Sequence, residues 1–513
     1  MDNTMGVAPL TPLDQLDRAA DYFPDRVALR FEGESTTYAG FREQVRRAAG
    51  LLRAAGVQPG DRVAVLARNV PVSLLAHFAV PYAGGVLVAL NHRLASPEIA
   101  GILQHAEPRL LVVEEALAEL AGEAVGELDL PVLPDRDLLE AAPADHPTQH
   151  PVTDELALIS LNYTSGTTGS PKGVMYRHRG AALQSVAMAY HLRLEMSSVY
   201  LWTLPMFHCN GWSFPWAVAA AGATSLCTDT TDPGRLWELI RAEGVTHFCA
   251  APTLLTSLLG ADGAEPLDHR VTVATGGAPP TPALIRRAEQ LGLHVVHLYG
   301  LTETYGPSLL CEWQPEWTAL PLEEQAEKVA RQGVPNIMAA TVALEPLPGD
   351  TDGSGPGEVT IAGNTVMAGY YRDDEATAAA TVGGAGGDRF RTGDLGIQHE
   401  DRYYQLKDRA KDIIISGGEN ISSIEVEGAL AEHPAVSESA VVARPDDTWG
   451  EVPVAYVTLA PGAHTVSEAE LIAFVKSRIA RYKAPKEIVF GPLPKTATGK
   501  IQKFELRGRR PGS

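Results

Sequence analysis

Between residues 163 and 173 the chain reads Tyr163-Thr-Ser-Gly-Thr-Thr-Gly-Ser-Pro-Lys-Gly173, a run of glycines, hydroxyls and one lysine that follows the apolar stretch Leu156-Ala-Leu-Ile-Ser-Leu161. The apolar stretch predicts a buried strand, which sets the loop at a strand's carboxyl end, where open α/β sheets bind their ligands. Glycines at 166, 169 and 173 let the backbone approach phosphate oxygens closely, Thr164, Ser165, Thr167 and Thr168 add hydroxyl donors, and Lys172 adds a cation. A polyphosphate is the ligand these residue types suit. The common nucleotide loop, Gly-x-x-x-x-Gly-Lys-Ser/Thr, is not met, because the stretch from Gly166 reaches Pro171, Lys172 and then Gly173. This disfavours a P-loop kinase or ATPase. A solvated linker is the other reading of a Gly/Ser/Thr run, and the preceding strand and the Pro-Lys-Gly ending argue against it.

A chain of 513 residues is too long for one ordinary core, and a prior of about 150 residues per domain points to roughly three compact units. Its 45% hydrophobic and 20% charged residues, with 48 Gly and 37 Pro as punctuation, are those of a soluble globular protein rather than a disordered one. The formal net charge of −21 argues against nucleic acid or an anionic membrane as the main partner, since such binding is carried by Lys and Arg. Any anionic ligand then needs a local positive site. Cys209, Cys227, Cys249 and Cys311 lack Cys-x-x-Cys spacing, so neither a zinc site nor a disulfide framework is expected, and a reducing, cytoplasmic setting is the simplest reading. The start Met-Asp-Asn-Thr-Met-Gly does not resemble a signal peptide, and the longest apolar stretches are interrupted by Pro and Gly, so no integral membrane segment is expected.

Up to about residue 400, short runs such as Arg62-Val-Ala-Val-Leu66, Val86-Leu-Val-Ala-Leu90, Val199-Tyr-Leu-Trp-Thr-Leu204, Val271-Thr-Val-Ala274 and Val295-Val-His-Leu298 alternate with helical patterns. This predicts α/β layers with largely parallel sheets. After Gly353, the runs Glu358-Val-Thr-Ile361 and Tyr403-Tyr-Gln-Leu406 predict a β-rich cap. Past Lys411 the pattern changes to a small α+β unit, with capping boxes at Ser422-Ser-Ile-Glu425 and Ser467-Glu-Ala-Glu470. The expected fold class is thus α/β: a large N-terminal domain of layered α/β subdomains plus a β-rich cap, residues 1–410, and a small α+β C-terminal domain, residues 411–513.

Six further segments stand out: Pro205-Met-Phe-His-Cys-Asn-Gly-Trp212, Thr275-Gly-Gly-Ala-Pro279, Tyr299-Gly-Leu-Thr-Glu-Thr304, Arg391-Thr-Gly-Asp-Leu-Gly396, Asp408-Arg-Ala-Lys-Asp412 and Ile415-Ser-Gly-Gly-Glu-Asn420. With them comes the terminal Pro494-Lys-Thr-Ala-Thr-Gly-Lys500. Taken alone, the first reads as a packed aromatic corner, the Asp394 turn as an Asx-type turn, and residues 408–412 as a charged, solvated linker. Glu303 is an oxygen ligand suited to magnesium beside phosphates.

Together, their order and spacing resemble the adenylate-forming superfamily, which includes acyl-CoA synthetases, luciferases and peptide-synthetase adenylation domains. The likeness runs from about Tyr38 to Arg507 and is nearest to fatty-acyl and small-acid CoA synthetases. The resemblance implies two half-reactions: a carboxylate and MgATP give acyl-AMP and pyrophosphate, then the thiol of coenzyme A displaces AMP. It assigns Lys500 to the reacting oxygens, and Thr164, Ser165, Gly166, Thr167, Thr168, Gly169 and Lys172 to the phosphates. Thr164 and Glu303 are assigned to Mg2+. Tyr299 would stack on adenine beside Gly277, Ala278, Gly300 and Thr302, while Asp394 and Arg409 would hold the ribose. The acid would lie among His208, Trp212, Gly276, Gly277 and Leu301, with His208 and Glu303 joining Lys500 as catalytic residues. Small residues at 276–278 leave a wall open to a bulky or extended acid. The C-terminal domain would turn about Lys411 and bring Ser416, Gly417 and Gly418 to line the coenzyme A tunnel. The implied partners are a small-molecule carboxylic acid, ATP and coenzyme A, and a homodimer is compatible with them. Transfer to a carrier protein or an amine, and a non-catalytic nucleotide-binding protein on this fold, are the alternatives. Gly211, Gly396 and Asp401-Arg-Tyr depart from the usual pattern without touching an implied catalytic position.

Overall fold

The computed structural model describes residues 8–143, 150–164, 171–347, 355–384, 387–409, 411–416, 419–446, 448–460, 462, 466–495 and 501–507. Two mainly parallel sheets form the bulk of the chain. The first is six-stranded, in the order Val132–Pro134, Leu110–Val113, Arg62–Leu66, Val86–Leu90, Leu158–Thr164, Lys172–Arg177, with only the last strand antiparallel. Continuous Val/Leu runs form its centre because both faces are covered. The second is nine-stranded and runs Val334–Pro335, Gly306–Leu310, Leu293–Leu301, Val271–Thr275, His247–Ala250, Val199–Leu201, Thr224–Leu226, Val27–Phe31, Glu34–Thr37.

One core joins the two sheets. Val63, Val65 and Leu87 of the first belong to the same packed cluster as Tyr200, Trp202 and Ala274 of the second. Helix Pro71–Tyr82, apolar on every side and buried from Val72 to Tyr82, lies in that cluster, as a helix without a polar face must. The strand expected over 199–204 stops at Leu201, because Thr203 N turns back to the Leu201 carbonyl and the next carbonyls bond to the Asn69 side chain.

A third, antiparallel sheet carries Ala339–Glu345, Gly357–Gly363, Gly387–Gln398, Thr381–Gly384 and Tyr404–Arg409. A fourth comprises Glu419–Ile421, Ile414–Ser416, Gly450–Leu459, Val436–Asp446 and Glu487–Phe490. Its helices start where the capping boxes predicted: Ser422 accepts from Glu425 N and Ser467 from Glu470 N, both at 3.2 Å. No helix among the described residues is long and apolar enough to cross a membrane, and the four cysteines are unpaired and buried.

The segment from Asp408 is not a solvated linker. Asp408 is 2% exposed and accepts from Ser423 N and, at 3.0 Å, Ser423 Oγ, while Ser422 Oγ donates to the Lys407 carbonyl. Lys503 Nζ completes the cluster, 2.6 Å from Ser423 Oγ and 2.7 Å from Glu427. A carboxylate at the N-terminus of helix Ser423–Ala431 meets both the free amides and the helix dipole, which explains its burial. Asp408→Ala is expected to cost about 2 kcal/mol, because it strands the buried Ser423 donors while Lys503 keeps Glu427; a denaturant unfolding curve checks this.

Candidate active site

The carboxyl ends of the parallel strands converge where the motifs lie. Thr164 and Lys172 are antiparallel partners, so they stand together at the mouth of the intervening loop; Ser165, Gly166, Thr167, Thr168 and Gly169 lie outside the described residues. On the second sheet, Val271–Thr275 ends into Gly276, Gly277 and Ala278. The neighbouring Leu293–Leu301 ends with Tyr299, Gly300 and Leu301, then the single turn Thr302–Thr304 that carries Glu303. Gly277 takes φ 85° and is exposed with Ala278, a backbone open to a ligand. The Glu303 carboxylate accepts from Tyr370 OH at 2.7 Å, and the Lys172 ammonium lies 4.8 Å from the centre of the same ring.

His208 and Trp212, expected beside the acid, lie on the loop of residues 202–213. Asn69 braces this loop from the first sheet: its Nδ2 donates to the Trp202 and Leu204 carbonyls and its Oδ1 accepts from Met206 N, each at 2.9 Å. Further on, Asn210 Oδ1 accepts from Ser160 Oγ at 2.6 Å and Asn162 Nδ2 at 2.8 Å, and Asn162 Oδ1 accepts from Asn210 N. These tie the loop to the strand that leads into the phosphate run. His208, half-buried, begins the turn. Cys209, Asn210, Gly211, Trp212 and Ser213 all take positive φ, a left-handed succession that single residues rarely adopt. Gly211 has a steric reason, since a Cβ there would lie 2.7 Å from the Trp202 ring. Asn69→Ala is expected to lower kcat/KM for the acid about tenfold with little change in KM for ATP, as three bonds to the loop are lost; steady-state kinetics in each substrate read it.

The open wall expected at 276–278 is occupied at its first position. A Cβ on Gly276 would lie 3.1 Å from the far edge of the Trp212 indole, and one on Gly306 would lie 3.1 Å from its Cδ1, near the Trp212 backbone. The indole therefore lies against both glycines, whose small size makes room for it. Beside it, Cys209 Sγ donates to Thr302 Oγ1 at 3.3 Å, and burial pushes its thiol up to about 12. Such a thiol is not a nucleophile near neutral pH.

On the remaining side, Asp394 and Arg409 are register partners, with Nε 3.1 Å from Oδ1. Residues 391–396 belong to strand Gly387–Gln398 rather than a free turn, with a kink at Gly393, φ 71°. The second Asp394 oxygen accepts from Tyr299 OH at 2.7 Å. The Tyr299 ring is packed with Leu309, Val342, Val359 and Ile361, and burial, reinforced by the Asp394 carboxylate, holds its phenol well above the usual range. It remains a donor. Of the departures, Arg402 stands at φ 69°, the conformation glycine favours, and Asp401 is held by Arg331 through two 2.9 Å contacts.

Lys411 is exposed at the junction, its carbonyl accepting from Arg507 at 3.1 Å. Ser416 pairs with Glu419 and Gly450; Gly417, Gly418 and Lys500 lie outside the described residues. The flanks of the Lys500 segment are bridged, Lys495 to Ile501 and Gln502 N to the Pro494 carbonyl at 2.8 Å. Asn69, Asn162, Asn210 and Tyr370 escaped the sequence reading. Of these only Asn210 fell within a segment the sequence had singled out, 205–212, and there without a role of its own.

A hydroxyl and lysine from the first sheet, a carboxylate that follows a strand of the second and a paired Asp–Arg from the third are the groups of a nucleotide-handling enzyme of the α/β class. The model of the AMP-binding enzyme family matches residues 16–371, that of the AMP-binding enzyme C-terminal domain matches residues 425–500, and the chain belongs to this family. It is 41% identical to 2-methylpropanoate–CoA ligase of Humulus lupulus, over 98% of this chain and 95% of the relative. It is also 41% identical to the peroxisomal acetate/butyrate–CoA ligase of Arabidopsis thaliana, over 97% and 94%. O-succinylbenzoate coenzyme A synthetase of Bacillus subtilis, solved with ATP and magnesium ion, has the same fold, with TM-score 0.83 at 29% identity over 96% and 98% of the two chains.

Proposed function

We propose that this chain is an AMP-forming carboxylic acid–CoA ligase whose acid is short. The observation that carries the second half is the Trp212 indole, which fills the space beside Gly276 and lies against Gly306 and so would shorten a pocket for the acid there. The relatives' acids, 2-methylpropanoate, acetate and butyrate, are of the size such a pocket takes.

In the first step a carboxylate oxygen attacks the α-phosphorus of ATP and the bond to pyrophosphate breaks. Two anions must meet, so fixed positive charge in a site shielded from water does most of the work. Lys500 supplies it at the reacting oxygens, and Lys172 with the 164–169 run holds the β- and γ-phosphates. Asp394 binds the ribose hydroxyls, aimed by Arg409 and the neutral Tyr299 phenol. Glu303 and Thr164 offer hard oxygen donors. Among the described residues no group of three or more His, Cys, Asp or Glu could hold a metal by itself, so the donor set suits an ion bound largely through phosphates and water. Magnesium bound there would neutralise phosphate charge.

In the second step the coenzyme A sulfur attacks the acyl carbon and AMP leaves with the electron pair of the broken bond. A thiol with a pKa of about 8.5 needs access to the mixed anhydride more than a strong base. Residues 411–513 act as a mobile domain for this, turning at Lys411 to withdraw Lys500 and present Ser416, Gly417 and Gly418 to the thiol. The buried, protonated Cys209 is not the acceptor. A cytoplasmic location and a homodimer complete the reading; light scattering tests the latter.

The test is a panel of carboxylic acids from acetate to palmitate, with branched and aryl members, read by pyrophosphate release and by thioester mass with and without coenzyme A. Turnover of acids of two to five carbons, with AMP release dependent on coenzyme A, is expected. Best turnover of long-chain acids, or an amine product, would replace the proposal.

A further inference from the structure

Glu303 and Lys172 come from different sheets and carry opposite charges, yet among the described residues neither enters an ion pair. Tyr370 stands between them. Its hydroxyl donates to Glu303 Oε1 at 2.7 Å, and its ring centre is 4.8 Å from Lys172 Nζ, within cation–π range. The segment that carries it is held at both ends of this contact. Val174 and Tyr370 form a bridge, Tyr371 N donates to the Gly173 carbonyl at 2.7 Å, Ala368 N to Met175 at 2.9 Å, and Met367 N to the Glu303 carbonyl at 2.8 Å. Tyr370 N is fixed in turn by Thr377 Oγ1 at 2.9 Å.

We infer that Tyr370 is a positioning residue that keeps the Glu303 carboxylate and the Lys172 ammonium apart and separately aimed, so that each stays available for a ligand. Without a neutral spacer, two such charges facing one cleft are drawn into a direct pair, which would neutralise both and has to be broken before phosphate or metal can bind. The phenol prevents this by taking the lysine on its ring face and one carboxylate oxygen on its hydroxyl, leaving the other oxygen open. The inference rests on the proposed role of Glu303 toward magnesium and of Lys172 toward phosphate.

Tyr370→Phe keeps the ring and removes the donor; Tyr370→Leu removes both. Binding of ATP, measured by calorimetry over a series of Mg2+ concentrations, reads the two effects without turnover. For Tyr370→Phe the Mg2+ concentration that gives half of the full gain in ATP affinity should rise about tenfold, the size of a lost bond to a charged group, while ATP affinity without Mg2+ is unchanged. Tyr370→Leu should weaken ATP binding without Mg2+ as well. An unaltered Mg2+ dependence in Tyr370→Phe, or an equal fall with and without Mg2+, overturns the inference, and the phenylalanine variant decides it even if the leucine variant does not fold. If the parent protein binds ATP with no Mg2+ dependence, the functional reading beneath it fails instead.

Discussion

Lys500→Ala should reduce pyrophosphate release from acid and ATP about a thousandfold, the range found when one preorganised charge donor is removed from a reacting centre. Thioester formation from supplied acyl-AMP should stay near the parent rate. The asymmetry follows from the proposed chemistry: only the first step brings two anions together, while the second needs a clear path for sulfur. The lysine segment is bridged at its base, Lys495 to Ile501, and Lys503 is anchored to Glu427 and Ser423, so the alanine variant should fold normally. Half-reaction assays on one preparation check this. Equal loss of both steps would refute the division of labour between the two arrangements of the small domain.

Trp212→Gly should exchange one acid range for another. Residue 212 stands at φ 55°, a conformation glycine takes without strain, so removal of the indole opens the space between Gly276 and Gly306 without forcing the backbone to move. Preference between butyrate and octanoate, as a ratio of kcat/KM values, should shift about a hundredfold toward the longer acid, the order of discrimination that a misfit of a single methylene carries in an apolar pocket. The variant should lose about 3 kcal/mol of stability, as a large buried ring is deleted. If the longer acid is still refused, another wall closes the pocket.

Much of the fold was legible because it depends on local pattern. Apolar runs of four or five residues punctuated by Gly and Pro marked the strands of both parallel sheets, and the serine–glutamate spacing at 422–425 and 467–470 marked two helix starts at the residues where the structure has them. Asp394 and Arg409 were legible as residues but not as a pair, since fifteen positions of chain separate them and only strand register brings them to 3.1 Å. Asp408 misled, because a charge run reads as solvated until a helix N-terminus is folded onto it.

Glycine at 276 and 306 has the same meaning in a sequence whether its space is empty or filled. Composition and periodicity were enough to establish the α/β class, because strand and helix patterns follow from backbone geometry within a few residues. The place of the Trp212 indole beside Gly276 and Gly306, the bracing of the 202–213 loop by Asn69 and the contacts of Tyr370 with Glu303 and Lys172 were decided only in three dimensions. Each depends on side chains more than sixty residues apart meeting in one packed volume, and no local rule encodes such a meeting.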